Sequence, residues 1–177
     1  MRLLTLAALP ALAASAHALT LDVQGGFGKA SNFDNSGTYA VSLGGALTDD
    51  LSLGVTYLYS NLDTEGNAVF GNVNSSLKSY TVDLTYDLAR GGLGTFIGVG
   101  VGQATLAGSD IDSTQNGIEE LCGAAFVGIR FEVAQNVDFT LTARYTRVFS
   151  VFENANGASS EQDISHWSGL AGLRFKF

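Results

Sequence analysis

The chain has 177 residues, 46% hydrophobic, with 17 Asp and Glu against 9 Lys and Arg and a net charge of −8. That balance argues against nucleic acid as a partner, because phosphate contacts need a basic face. Cys122 is the only cysteine, so an internal disulfide is excluded.

The chain opens Met1-Arg2, runs apolar from Leu3 to Ala14 apart from Thr5, and reaches Ala16-His17-Ala18. A basic start, a short apolar run and a small-x-small site predict a secretory signal peptide over 1–18, cleaved after Ala18. Pro10 and the run's shortness argue against a membrane helix. Residues 19–177 then form one domain with 17 acidic and 8 basic residues.

From Leu19 onward, alternation and turn signals predict eight strands. The first, Leu19 to Lys29, sets Leu21, Val23 and Phe27 against Thr20, Asp22 and Gln24. A polar loop leads to Thr38–Leu47, and Thr48-Asp49-Asp50 turns into Leu51–Ser60. A long Asn- and Gly-rich stretch, Asn61 to Ser76, precedes Leu77–Leu88, where Tyr80, Val82, Leu84 and Tyr86 alternate with Thr81, Asp83, Thr85 and Asp87. After a turn at Ala89–Gly92, the fifth strand, Leu93–Leu106, interleaves Ile97, Val99 and Val101 with Gly98, Gly100 and Gly102. A second long loop, Ala107 to Glu120, leads to Leu121–Val133, a turn at Ala134–Asn136, and Val137–Val148. Phe149 to Asp163 is the last long loop, and Ile164–Phe177 closes the chain.

Connections therefore alternate long and short, and each strand has the length that a tilted strand needs to cross an apolar bilayer core. The polar face is Gly, Ser, Thr and a few charges, not the Lys/Glu coat of a soluble β-protein. The apolar face carries Val and Leu in mid-strand and aromatics toward the ends, as membrane interfaces favour. The expected fold is all-β: an eight-stranded antiparallel up-and-down transmembrane barrel, polar face inward, the first strand pairing with the last.

The sequence Gly98–Gly102 (G-V-G-V-G), the run Gly128–Val133 (G-I-R-F-E-V) followed by A-Q-N-V, the strand ending Ala143-Arg144-Tyr145 and the terminal G-L-R-F-K-F together resemble eight-stranded outer-membrane barrels of the opacity-protein and outer membrane protein A transmembrane-domain type. The resemblance implies a bacterial outer-membrane location, outer-membrane lipid and lipopolysaccharide as surroundings, and assembly by the barrel-assembly machinery. Gly172, Phe175 and Phe177 match the terminal pattern that such machinery reads, although Leu170 stands where a polar residue is usual.

Parity points Asp22, Asp83, Asp87, Arg130, Glu132, Asp138, Arg144, Arg174 and Lys176 inward. Acids and bases in so narrow a space are expected to pair, since an unpaired buried charge is costly. Asp22 is the expected partner of Arg174 and Lys176, and the glycines at 98, 100 and 102 are expected to make room for the Arg130 guanidinium. A structural plug is the first reading of this network, and a gated ion path is the alternative.

His166-Trp167-Ser168 has the His-x-Ser spacing of an outer-membrane lipid A deacylase, but no acid follows it and both residues point inward. A palmitoyltransferase lacks support, because His166 is the only histidine after residue 18. Asp110-x-Asp112-x-Thr114 fails the EF-hand pattern at Gln115 and Leu121. No catalytic residue, metal site or cofactor is expected. The reading is a monomeric, non-enzymatic barrel that displays four acidic extracellular loops for surface interaction or adhesion, or that serves envelope structure. A narrow channel or small-molecule transporter is the alternative, and a lipid A-modifying enzyme is third.

Overall fold

A computed structural model describes residues 18–31, 35–63, 74–89, 91–108, 118–149, 151–153, 159–161 and 164–177. The predicted leader, apart from Ala18, lies outside the described residues, as do the tips of the long loops. Eight strands close into an antiparallel barrel: β1 (Leu19–Ala30), β2 (Asn35–Ala46), β3 (Leu51–Asp63), β4 (Asn74–Ala89), β5 (Leu93–Gly108), β6 (Ile118–Ala134), β7 (Val137–Phe149) and β10 (Ile164–Lys176). Neighbours in sequence are neighbours in space, and β1 pairs with β10. Two short strands, β8 (Val151–Glu153) and β9 (Ser159–Glu161), pair as a separate hairpin within what the sequence presents as the last long loop. Several barrel strands also extend two or three residues farther toward the long loops than alternation suggests. There Asn and Ser pair in register, Asn61 with Ser76 and Leu62 with Ser75, although their side chains carry no apolar pattern.

The register fixes the barrel's shape. Following paired residues round the sheet from Lys176 through Thr20, Gly44, Gly54, Asp83, Gly100, Ala124 and Thr146 returns to β10 at His166, ten residues along the strand. With a rise of ~3.3 Å per residue and ~4.7 Å between strands, that stagger over eight strands tilts them by about 40°. Ten tilted residues then climb about 25 Å, the height of the apolar band on a membrane barrel.

The two faces separate as period two demands. Outward Val99 and Val101 are 59% and 58% exposed, while inward Thr38, Ser60 and Thr140 are fully buried. On the register, the outward aromatics fall into two girdles. Tyr86, Phe131, Phe139 and Phe175 ring the short-turn end, and Phe27, Tyr39, Tyr57, Tyr80, Tyr145 and Trp167 ring the long-loop side. Ring pairs knit each girdle across strands: Tyr57–Tyr80 at 4.9 Å, Tyr145–Trp167 at 4.6 Å and Phe131–Phe139 at 6.5 Å.

Closure brings β1 and β10 close together. A Cβ at Gly172 would collide with the Val23 carbonyl, and one at Gly26 with the Gly169 carbonyl. Gly172, singled out in the sequence as part of the terminal pattern, thus lies inward where the facing backbone leaves no room for a side chain. Replacing it with Val should remove most of the heat-modifiable, folded species on a gel. Gly169→Ala, at an outward position with nothing within 4 Å of the added carbon, should leave that species unchanged.

Candidate functional site

The barrel interior is where the sequence concentrates its charge, and the structure sorts it into tiers. At the short-turn end, Arg174 Nε donates to Asp22 Oδ1 at 2.8 Å, Lys176 Nζ donates to Asp138 Oδ1 at 2.8 Å, and Arg130 pairs with Asp87. Arg174 also lies over the Phe96 ring, 5.7 Å from its centre. Arg174, Lys176, Asp138, Arg130 and Asp87, with Thr20, Gly91 and Glu132, line a vestibule of about 320 Å³ at that end. Glu132 sits exposed on its rim beside a β-bulge at Glu132/Ala134 and has no ion partner among the described residues.

The next tier is a single ion pair at mid-barrel. Arg144 Nη1 donates to Asp83 Oδ2 at 2.7 Å and Nη2 to Asp83 Oδ1 at 3.2 Å, with both side chains about 95% buried. Thr56 Oγ1 donates to Asp83 and Arg144 Nη2 to Thr81 Oγ1, both at 2.7 Å, so the carboxylate and one guanidinium nitrogen are held from two sides. The Phe126 ring lies under the guanidinium, 5.1 Å from it. The space beside this pair, which runs on past Thr20, Ser52 and Arg174 toward the short-turn end, holds only about 60 Å³, room for a few water molecules.

Two pairings differ from the sequence reading. Asp22 takes Arg174 alone, while Lys176 reaches Asp138, because register places Arg174 between the two acids' strands and leaves Lys176 nearer the rim. Gly98, Gly100 and Gly102 do not serve Arg130: the space at Gly98 is filled by the Phe126 ring, that at Gly100 by the Asp83 carboxylate and that at Gly102 by the Tyr80 carbonyl. Arg130 packs instead against Gly94, its register partner.

Above the ion pair lies a layer of hydroxyls. Ser60 Oγ is 2.9 Å from both Ser36 Oγ and Thr38 Oγ1 and 3.1 Å from His166 Nε2. His166 is fully buried, and Ser168 points inward against the Arg144 carbonyl. At the long-loop end, Ala30, Leu62, Leu77, Ala104, Cys122 and Val148 form an apolar cluster, each no more than 4% exposed, with Ile164 packed against it. Leu170 packs with Ala40 and Leu58 lower in the lumen, which explains an apolar residue at a position usually polar. The hydroxyl layer and the apolar cluster escaped the sequence reading. Their signal was inward-parity apolar residues at strand ends: Leu77, Ala104, Cys122 and Val148 lie at the ends of expected strands, and Ala30 and Leu62 in expected loops.

The chain matches the outer membrane protein beta-barrel domain over residues 2–175. It belongs to that family. A comparison with curated protein sequences finds no match. Among solved structures, Neisserial surface protein A aligns with a TM-score of 0.68 and 16% identity, covering 90% of this chain and 96% of that one. The N-terminal barrel domain of Pseudomonas aeruginosa OprF aligns at 0.56 and 17%, covering 90% and 97%. The outer membrane enzyme PagL aligns at 0.55 and 17%, covering 87% and 98%. At these identities the likeness is one of fold. In such barrels the short turns face the periplasm and the long loops the exterior, so the vestibule is periplasmic and the apolar cluster lies beneath the surface loops.

Breaking the mid-barrel pair from one side leaves a buried, unpaired charge. Arg144→Met should cost about 3–5 kcal/mol in urea unfolding of the vesicle-inserted barrel. Adding Asp83→Asn to Arg144→Met should recover part of that loss, giving a double-mutant cycle with strong coupling.

Proposed function

We propose that this outer-membrane barrel is monomeric and non-enzymatic, and that its closed wall holds four loops at the cell surface for interaction with an extracellular partner. The observation that carries the reading is the filled lumen. Ion pairs, a hydroxyl layer and an apolar cluster follow one another from the periplasmic end to the loops. A solute would have to break a buried Arg–Asp pair and then cross a dry apolar layer, which disfavours conduction. The same filling disfavours lipid chemistry at His166 and Ser168, since both lie inside the wall and the partners they contact are the Ser60 hydroxyl and the Arg144 carbonyl, not an acid. A rigid scaffold with variable loops is the usual arrangement for recognition.

In this reading residues 1–18 direct export and are removed after Ala18, and the barrel-assembly machinery reads the terminal strand. Phe177 closes that strand: its N–H donates to the Leu19 carbonyl at 2.9 Å and its ring is exposed to the outside.

Two measurements test the proposal. In planar bilayers the purified barrel should give no steady single-channel openings, and steady openings would replace this reading with the channel. Deleting the loop between β3 and β4 should lower adhesion of expressing cells while leaving barrel folding intact, and unchanged adhesion would count against recognition by that loop. Deleting Phe177 should reduce the amount of inserted barrel far more than it changes the adhesion of the molecules that do insert.

A further inference from the structure

The outer wall carries a pattern that neither the lumen nor the loops require. Among the described barrel side chains, every acid points inward: Asp22, Asp83, Asp87, Glu120, Glu132 and Asp138. The outward charges are all cations, namely Lys29, Lys78 and Arg147. With the ten-residue stagger shared over eight strands, these three fall at one height, within a fraction of the ~3.3 Å rise of a residue. That height is just above the aromatic girdle on the extracellular side. Among the described side chains, a chain with net charge −8 thus turns only cations outward at this height, toward the headgroups of the outer leaflet.

Two of the cations share one side of the barrel. Lys29 pairs in register with Trp167, Trp167 with Tyr145, and Arg147 stands two residues above Tyr145 on the same face. Lys29 and Arg147 thus flank Trp167 from the two adjoining strands, two strand spacings across and two residues along, about 12 Å apart. Arg147 lies over the Phe149 ring, 5.4 Å from its centre, which steadies its guanidinium near the interface. Directly below, the wall is hollow. Gly25, Gly169, Ala171 and Ala143 floor a groove of about 830 Å³ that starts at Phe27 and runs diagonally down the register toward Leu141. A carbon added at Gly169 meets nothing within 4 Å, so the groove is open there.

We infer that Lys29, Trp167 and Arg147, with the groove beneath them, form a binding site for lipid A, the phosphorylated and multiply acylated glycolipid of the outer leaflet. The two cations take its phosphates, the indole lies against the sugar, and an acyl chain lies in the groove. Three features favour this occupant over a single-phosphate lipid. The site faces the outer leaflet only, it offers two cations on either side of an aromatic plate, and the groove accepts a chain in a fixed place below them. The site lies on the wall, so it is independent of what the loops bind.

The test is native mass spectrometry of the mature protein in micelles, titrated with bisphosphorylated lipid A, with lipid A stripped of phosphate, and with phosphatidylglycerol. The wild-type chain should retain bisphosphorylated lipid A in preference to both other lipids. Lys29→Glu with Arg147→Glu should bind it about 30-fold or more weakly while keeping the heat-modifiable gel shift of a closed barrel. Lys29→Gln with Arg147→Gln should also lose the preference, and serves if the charge reversal hinders folding. Gly169→Leu, which fills the groove, should weaken retention while preserving the preference for phosphate. Equal binding of the phosphate-free form or of phosphatidylglycerol to the wild-type protein, which needs no variant, would overturn the assignment. So would wild-type affinity in the doubly substituted chains, and unchanged retention in Gly169→Leu would remove the groove from it.

Discussion

The structure depends on one constraint: in hydrocarbon a backbone N–H or C=O must find its partner within the protein. An eight-stranded sheet meets it only by joining its first strand to its last, which β1 and β10 do over eleven register pairs, from Thr20–Lys176 to Ala30–His166. Closure at so small a strand number leaves an interior scarcely wider than its side chains. The inward face is accordingly made of Gly, Ser, Thr and Ala wherever the opposite wall is near. Several of its large groups lie beside a glycine, as Phe126 beside Gly98 and Asp83 beside Gly100.

The same narrowness governs the charges. Arg144 and Asp83 are removed from bulk water, and what makes them tolerable is two guanidinium–carboxylate hydrogen bonds, a threonine on each partner and an aromatic face below, with only Arg144 Nε left without a partner. The periplasmic pairs face a wet vestibule and bear a smaller desolvation cost. Polarity in the lumen therefore declines in order, from salt bridges, through hydroxyls and a buried imidazole, to the apolar cluster under the loops.

Much of this was legible in the sequence because a strand's side chains alternate with period two. The alternation of Tyr80 to Asp87 alone declares which residues look outward, and the long-short rhythm of connections declares a meander. What parity cannot reveal is height. Partners across the lumen are decided by the accumulated stagger of ten residues, which no local pattern records. That is why Arg144 on β7 finds Asp83 on β4, while the register of adjoining strands, equally invisible locally, decides that Lys176 meets Asp138 and that Gly94 accommodates Arg130. The hairpin β8–β9 and the strand tops above the bilayer were missed for a related reason. Outside lipid the chemistry of alternate faces relaxes, and Asn and Ser pair through the backbone with no apolar signature. Leu170 looked anomalous only while its neighbours Ala40 and Leu58, more than 100 residues away in the chain, were unknown.

The seam between β1 and β10 also governs time. The Asp22–Arg174 contact spans 152 residues, and the last backbone hydrogen bond along it is made by the terminal residue itself. Any shorter chain, however many hairpins it has formed, still presents two bare strand edges, and bare edges invite association with other chains. Such long-range closure is intrinsically slow. Until β10 pairs with both β1 and β7, those two strands keep bare edges, so the chain's exposure to association lasts until its last barrel strand is in place.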